Sequence, residues 1–161
     1  MDNELIPVLG VKAPWSTMIN LGWKPWEVRT QKTNKRGTIA LYSTRSKPDR
    51  EAVQVYDNLR SCQKLEDMTP YHAVEYGKII ALADFVDCKQ FESFDHFRKT
   101  DHKHLNPHSY YKEGLWYWVL ENIRHVEPFD FKFKGSVVWS SIEISKLKVL
   151  PGTICVPEVP F

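Results

Sequence analysis

Secondary structure is most clearly patterned in residues 14–43, PWSTMINLGWKPWEVRTQKTNKRGTIALYS. The first part predicts a short helix over residues 13–22, because proline suits a first helical turn and Gly22 can adopt the left-handed conformation that ends a helix. Residues 26–29 predict the start of a strand, and residues 38–43 are rich in the β-branched and aromatic residues that favour a second one. A polar stretch between the two strands ends in the turn residue Gly37. The segment therefore predicts helix, strand, turn and strand in that order.

Three charged residues in this segment, Lys24, Glu27 and Arg29, lie beside two tryptophans. Glu27 and Arg29 are two apart, so a strand would place them on one face. Pro25 forces a turning or extended backbone at Lys24, which allows all three side chains to converge on one cleft. A carboxylate between two cations stays charged and can accept from a base amino group, while the cations can meet phosphate. The competing interpretation is a surface ion pair beside tryptophans that plug the end of a barrel.

The rest of the chain adds further elements, in chain order a helix at 46–62, a strand at 78–88, a helix at 91–99, a polar loop at 100–114 and strands at 115–126 and 136–144. Ser46 is the predicted cap of the longer helix. Strands and helices without regular alternation predict an α+β fold, most simply a small mixed β-barrel of five to seven strands with two to four flanking helices.

Composition and charge limit the class of protein. The chain has 161 residues, of which 42% are hydrophobic and 26% are charged, as in a single globular domain. Its net charge is +2, so any attraction to phosphate must come from locally clustered cations. Three cysteines without a C-x-x-C pair predict reduced thiols. With no signal-peptide pattern and no run of roughly 18 apolar residues, we expect a soluble cytoplasmic protein that does not bind a membrane.

A second group of reactive side chains lies in the polar loop. Asp101, His102, His104 and His108 are residue types that bind zinc or manganese. Their spacing matches no metal-binding motif, so a solvated loop is the preferred interpretation and we predict neither a metal nor a cofactor. A third possibility is that Lys103 and the histidines contact a nucleic-acid backbone.

Aromatic residues are dense in the second half of the chain. Alternation along the strand at 115–126 predicts Trp116 and Trp118 on one face and Tyr117 on the other. We expect most of these rings to belong to the core, because large aromatics supply much of the burial of a small barrel. Tyr110 and Tyr111, in the loop before this strand, are better candidates for stacking on a base.

The order of these features resembles the ASCH domain, a family of the PUA-like superfamily. The family pattern is Pro-Trp and a short helix, then G-x-K-x-x-E-x-R, then a basic turn that ends in Arg-Gly. It is filled here by Gly22, Lys24, Glu27, Arg29 and Arg36–Gly37. Residues 76–88 are similar to the Gly-led central strand of the family, and residues 117–144 to its closing strands. The resemblance covers most of residues 13–144 and implies one domain over 1–161, with a core at about 11–145 and an extended tail at 146–161.

The resemblance implies a PUA-like barrel whose cleft, beside the first helix, binds RNA or a modified nucleoside or nucleotide. The basic turn at the rim of this cleft would contact the phosphates. The predicted binding residues are Trp15, Ser16, Lys24, Trp26, Glu27, Arg29, Lys32, Lys35, Arg36, Tyr42 and Ser43.

Two other functions remain open. Some relatives are hydrolases that deacylate N4-acetylcytidine with a lysine, a threonine three residues later and a further glutamate. This chain keeps the lysine as Lys24 but has Glu27 at the threonine position. If the chain is such an amidohydrolase, or an ASCH-type ribonuclease, Lys24 and Glu27 would be catalytic, with Glu27 activating water. The other function is a protein-interaction domain that has lost its ligand.

Overall fold

The computed structural model describes residues 4–62, 73–134 and 138–151. Within these ranges the strands are β1 Leu5–Val11, β2 Trp26–Arg29, β3 Gly37–Ser43, β4 Lys78–Gln90, β5 Trp116–Asp130 and β6 Trp139–Glu143. The α-helices are α1 Trp15–Asn20, α2 Arg50–Ser61, α3 Phe94–Lys99 and α4 Asp101–His104. Single 3₁₀ turns follow at His108–Tyr110 and Ile144–Lys146.

The six strands form one sheet in the order β2-β5-β4-β3-β1-β6. Strands β1 and β3 are parallel, and every other neighbouring pair is antiparallel. The predicted α+β class is therefore confirmed. The predicted barrel is not, because β2 and β6 are the two edges and no strand ladder joins them in the described residues. The sheet nevertheless curls, since Arg29 at the end of β2 donates from Nη2 to the carbonyl oxygen of Gly10 in β1, 2.7 Å away.

The first helix and strands follow the prediction from residues 14–43 closely. Helix α1 is buried along its whole length and packs with α2 over one face of the sheet. Its apolar side chains join a large core cluster that contains the fully buried rings of Trp23 and Trp118. Strand β5 also alternates as expected, because Trp118 faces this cluster while Tyr117 packs in a separate one. Helix α1 contacts β3, β5 and α2, so the core on this one face of the sheet fixes its position.

Strand β1 was not predicted from the sequence, although it pairs with both β3 and β6. It begins at Leu5, before residue 11, where the predicted core starts. Its apolar residues do not alternate, because Val8 and Leu9 are both fully buried, and Pro7 further weakens the strand pattern. Burial on both faces removes the period of two by which strands are recognised.

Several local predictions need correction. Helix α2 begins at Arg50 with Asp49 in the N-cap position, so Ser46 is not its cap. The predicted helix at 91–99 is shorter than expected, because α3 begins at Phe94 and Phe91 precedes it. The predicted polar loop at 100–114 contains α4 and a 3₁₀ turn. Most of the predicted tail lies outside the described residues.

Two further expectations concern thiols and membranes. Cys62 is an exposed free thiol, Cys88 is a partly buried one, and Cys155 lies outside the described residues. In the portion of the chain that the structure describes, no helix is both long and apolar enough to cross a membrane.

Candidate nucleotide-binding cavity

A fully buried cation, Lys24, lies at the centre of the predicted site. Its Nζ donates to the carbonyl oxygen of His104 and, at 2.6 Å, to Oδ1 of Asn106. Glu27 Oε1 lies 3.9 Å from the same nitrogen, and the ring centroid of Trp15 is 4.7 Å away. Burial lowers the pKa of Lys24 to about 8, although the nearby Glu27 carboxylate opposes this shift. The ammonium group is therefore enclosed by protein rather than open to solvent.

The end of α1 directs Lys24 inward. After Asn20 the chain turns through Gly22, which has φ = 81°, a conformation that costs glycine little. The backbone N–H groups of Trp23 and Lys24 then both donate to the carbonyl oxygen of Met18, at 3.0 and 3.2 Å. This tight turn folds residues 23–24 back against the helix, so the lysine side chain enters the protein.

The acceptors for Lys24 are held in place by a buried histidine. His104 Nδ1 accepts from the backbone N–H of Asn106 at 3.0 Å, and Nε2 lies 2.8 Å from the carbonyl oxygen of Phe97. Because the first partner can only donate and the second can only accept, the ring is neutral with its proton on Nε2. Burial lowers the pKa of His104 to about 4. His104 is thus a positioning residue for the segment that receives Lys24.

The other candidate metal ligands of the polar loop do not converge on one point. His102 is exposed, and His108 Nε2 lies 3.3 Å from Asp101 Oδ2 at the surface. Over residues 4–62, 73–134 and 138–151, no group of three or more His, Cys, Asp or Glu side chains is placed to hold a metal ion.

Glu27 and Arg29 form the accessible part of the charged triplet. Arg29 donates to Glu27 Oε2 from both Nη2, at 3.0 Å, and Nε, at 3.2 Å. The guanidinium carbon lies 5.3 Å from the ring centroid of Trp118, and Nη2 also bonds Gly10 in β1. The side chain of Glu27 is 8% exposed and that of Arg29 is 23% exposed. The structure therefore brings Lys24, Glu27 and Arg29 together, with the two strand residues toward solvent.

These strand residues line an open cavity of about 590 Å³. The aromatic rings of Trp15 and Tyr110 and the amide of Asn106 form other parts of its wall. Further lining residues come from the end of β1, the loop after β3 and the segment before β5: Lys12, Thr44, Ser46, Asp49 and Lys112, of which Lys12 directly follows β1. Lys24 does not line the cavity itself, and contacts it only through Asn106, Trp15 and Glu27.

One side of the cavity is formed by Asp49, Tyr110 and Lys12, a cluster that was not predicted from the sequence. Tyr110 donates to Asp49 Oδ2 at 3.3 Å, and Lys12 Nζ lies 3.4 Å from Asp49 Oδ1. Burial, reinforced by Asp49, raises the pKa of Tyr110 to about 12, so the phenol stays protonated. Tyr110 was predicted as a stacking candidate, but nothing in the local sequence links it with Lys12 or Asp49.

Two predicted residues on neighbouring elements are structural. Ser16 and Ser43 are fully buried, and their hydroxyl oxygens are 2.8 Å apart. Ser43 donates to the carbonyl oxygen of Glu75, so Ser16 is the donor between the two serines. The pair joins α1 to β3 and does not line the cavity, because both hydroxyl groups are used inside the protein.

Two predicted aromatic residues also point elsewhere. The ring of Trp26 stacks on Tyr117, with centroids 4.0 Å apart. Tyr42 is 4% exposed and stacks on Phe133 at 5.6 Å. Neither Trp26 nor Tyr42 lines the cavity, because each faces a different core cluster.

The basic turn between β2 and β3 is exposed and also lies outside the cavity lining. Arg36 Nη1 donates to the carbonyl oxygens of Thr33 and Lys35, at 3.0 and 2.7 Å. Lys35 lines a different groove, and Lys32 is exposed at the surface. Contact between this turn and phosphate groups remains a prediction.

The fold is that of an ASCH domain. Residues 9–130 match the family model of the ASCH domain, so the chain belongs to this family, which has a PUA-like fold and is associated with RNA binding. The predicted resemblance is thereby confirmed. No curated protein sequence matches the chain.

Solved structures of an ASCH protein from Zymomonas mobilis have the same fold. The crystal structure of that protein gives a TM-score of 0.57 at 10% identity, covering 87% of this chain and 89% of the other. A tyrosine-to-phenylalanine variant of it gives 0.56 at 10% identity, with 87% and 91% coverage. A serine-to-alanine variant gives 0.57 at 11% identity, with 91% and 94% coverage. At this identity the likeness concerns the fold alone.

Proposed function

We propose that this ASCH domain binds RNA, or a modified nucleoside within it, in the cavity between β1, β2 and the segment that follows α4. The observation that carries the proposal is the convergence of a carboxylate, a guanidinium and two aromatic rings on one open cavity. Its volume lies within the range of small-molecule sites, which is roughly 300–1,000 Å³. An open, cation-lined cavity also argues against an interaction domain that has lost its ligand.

Glu27 and Arg29, the two charged residues of β2, would recognise the polar edge of a base. Glu27 is oriented by Arg29 and by the buried charge of Lys24, so its carboxylate can accept from an exocyclic amino group. Arg29 uses Nε and Nη2 inside the protein, and within the described residues Nη1 has no hydrogen-bond partner. That nitrogen can donate to a carbonyl or phosphate oxygen of the ligand.

The aromatic wall would provide stacking. Trp15 is 5% exposed and has Lys24 over its ring, so it offers little free surface. The partly exposed ring of Tyr110 meets Trp15 edge-on, with centroids 6.0 Å apart. We therefore assign base stacking to Tyr110 and phosphate contact to Lys12 and Lys112, which are exposed at the cavity.

Binding can be measured by fluorescence anisotropy with a short single-stranded RNA at low and high salt. We expect the affinity to fall with salt, and Arg29→Ala to weaken it on the order of tenfold because a directed, charged hydrogen bond to the ligand is removed. Arg29→Lys should recover only part of the affinity, since lysine cannot form the same fork of hydrogen bonds. Circular dichroism will show whether each variant is folded.

A matched control is Lys99→Ala. Lys12 and Lys99 are both exposed lysines paired with an aspartate, Lys12 beside the cavity and Lys99 on α3. Lys12→Ala should weaken binding and Lys99→Ala should not. The proposal is wrong if no RNA binds at low ionic strength, or if Arg29→Ala and Lys12→Ala both bind like the wild type.

The alternative function is hydrolysis of N4-acylated cytidine or a related amide, and the position of Glu27 favours it. The carboxylate lines the cavity and is oriented by Arg29, as a general base requires. Lys24 could act only by orienting Glu27 and Asn106, because its own ammonium group is enclosed. Incubation with N4-acetylcytidine tests this: release of cytidine that Glu27→Gln abolishes supports hydrolysis, and release at the buffer rate excludes it for this substrate.

A further inference from the structure

The cavity continues into a second depression. The two share Gly10, Thr44 and Ser46 as lining residues, and the second depression, of about 310 Å³, adds Arg45 and Phe133. A side chain at position 10 would narrow this junction, since a Cβ there would lie 3.4 Å from both the Phe133 ring and the Thr44 methyl group. Glycine in β1 therefore leaves room where the two depressions meet.

The path extends further round the sheet. A third depression, of about 530 Å³, shares Tyr42, Arg45 and Phe133 with the second one. It in turn shares Asp130, Phe131 and Lys132 with a groove of about 710 Å³ beside β6. Each depression thus shares lining residues with the next one, and together they connect the cavity to this groove.

Cations dominate the path beyond the cavity. Its lining includes five of them, which we call the basic track: Arg45, Lys132, Lys134, Lys35 and Lys146. The carboxylates on the same surfaces are those of Asp130 and Glu143, and Asp130 lies 4.0 Å from Lys78 Nζ. In the described parts of the chain, none of the five cations forms an ion pair. Their charges therefore remain available to an anionic ligand.

Aromatic rings alternate with these cations. Phe131 and Phe133 are partly exposed and pack around Tyr42, with ring centroids 5.5 and 5.6 Å from it. Phe129 and Trp139 line the groove beside β6. Cations that follow a backbone, with aromatic faces between them, are the arrangement by which proteins hold single-stranded nucleic acid.

We propose that a single strand of RNA extends from the cavity along the basic track to the groove beside β6. This inference rests on the proposed function, and it specifies the partner as an oligonucleotide of several residues rather than a free nucleoside. One base occupies the cavity, while the phosphates of the following nucleotides contact Arg45, Lys132 and Lys134. Backbone contacts of this kind are independent of sequence, so the track adds affinity without base specificity.

The test compares two RNA lengths by fluorescence anisotropy. Single strands of roughly 4 and roughly 12 nucleotides lie within the site sizes of single-strand-binding domains. Wild-type protein should bind the longer strand more tightly and with a steeper salt dependence. Lys132→Ala combined with Lys134→Ala should lower affinity for the longer strand on the order of tenfold, and reduce its salt slope by about 1.4, or about 0.7 for each phosphate that is no longer neutralised. Affinity for the shorter strand should stay within about twofold.

The control is Lys89→Ala combined with Lys99→Ala, two exposed lysines that line neither the cavity nor the track. This variant should bind both strands like the wild type. The track is wrong if wild-type protein binds both lengths equally, or if the Lys132/Lys134 variant behaves like the control with the longer strand. If wild-type protein binds neither strand, the proposed function fails as well, so the two failures are distinguishable.

Discussion

Residues 24–29 and 32–36 are neighbouring halves of one segment, and each carries three charged side chains, yet the fold uses them in opposite ways. The first half bonds distant parts of the chain: Lys24 reaches His104 and Asn106, 80 and 82 residues away, and Arg29 reaches Gly10, 19 residues away. The hydrogen bonds of the second half are local, since the Arg36 side chain and the backbone N–H of Lys35 find acceptors one to three residues away. Arg36 also makes a long-range contact, with its guanidinium carbon over the Phe85 ring, 5.2 Å from the centroid.

This difference shows that charge density along the sequence does not measure involvement in a site. A buried cation with distant partners couples the folding of its own segment to that of its partners. An exposed cation with local partners contributes little to stability and keeps its charge for an external ligand. The following predictions test this contrast, beginning with the largest effect.

Replacing Lys24 should have the greatest effect. Lys24→Met leaves the His104 carbonyl and Asn106 Oδ1 without their donor, and removes a countercharge from Glu27. We expect the free energy of unfolding, measured with guanidinium chloride, to fall by about 3 to 5 kcal/mol. The matched variant Lys35→Met, in the exposed half, should change it by no more than about 0.5 kcal/mol. Equal costs for the two variants would contradict the contrast.

Lowering the pH should destabilise the protein by protonating His104, which positions the acceptors of Lys24. The pKa of His104 is lowered by burial from 6.5 to about 4, so the unfolded chain binds the additional proton between these values. The neutral ring therefore makes its full contribution to the free energy of unfolding above pH 6.5. This contribution falls by about 3 kcal/mol in all as the pH is lowered toward 4.

Denaturation series at pH 7 and pH 4.5 measure this decrease. His104→Gln, which cannot titrate, should show a smaller dependence on pH, whereas the exposed His102→Gln should match the wild type. An unchanged pH dependence in His104→Gln would exclude His104 as its source.

Removing the amide acceptor should have a smaller effect. Asn106→Ala leaves Lys24 with the His104 carbonyl and the more distant Glu27, and we expect the free energy of unfolding to fall by about 2 kcal/mol. Asn34→Ala, in the exposed turn, is the control and should be neutral. Because Asn106 also lines the cavity, its variant should weaken RNA binding as well. A neutral result would show that the Lys24–Asn106 hydrogen bond contributes nothing to stability.

Substitutions in the exposed half, residues 32–36, should affect RNA binding but not stability. Lys32→Ala combined with Lys35→Ala should leave the free energy of unfolding within about 0.5 kcal/mol of the wild type. If these lysines contact phosphates, the salt slope of RNA binding should fall by about 0.7 for each lysine that neutralised a phosphate. An unchanged slope would restrict phosphate binding to the cavity and the rest of the basic track.

Much of the fold was accessible from sequence because its signals are local. The helix after Pro14, strands β2 and β3, and the faces of Trp118 and Tyr117 follow from turn residues and from period-two alternation. Strand β1 was missed because two consecutive buried residues, Val8 and Leu9, erase that alternation. The residues around α4 were interpreted as a loop because a single helical turn rich in histidine has no apolar face to recognise.

The site was accessible only in part. Lys24, Glu27 and Arg29 were recognised by their spacing and family pattern, and they do converge. Trp26 and Tyr42 were assigned to the cleft through the resemblance to the family, but each strand turns alternate side chains to opposite faces. No sequence signal marked Asp49 or Asn106, because neither residue is near β2 along the chain.

The sequence alone determined the family, the class of fold and which three charged side chains converge beside the cavity, because these depend on residue order over short distances. The tertiary structure decided that Lys24 is enclosed while Arg29 is open, that His104 is a neutral positioning residue, and that the sheet curls without closing its ladder. Those outcomes depend on contacts between residues as many as 82 positions apart, and such contacts leave no periodic trace in the sequence.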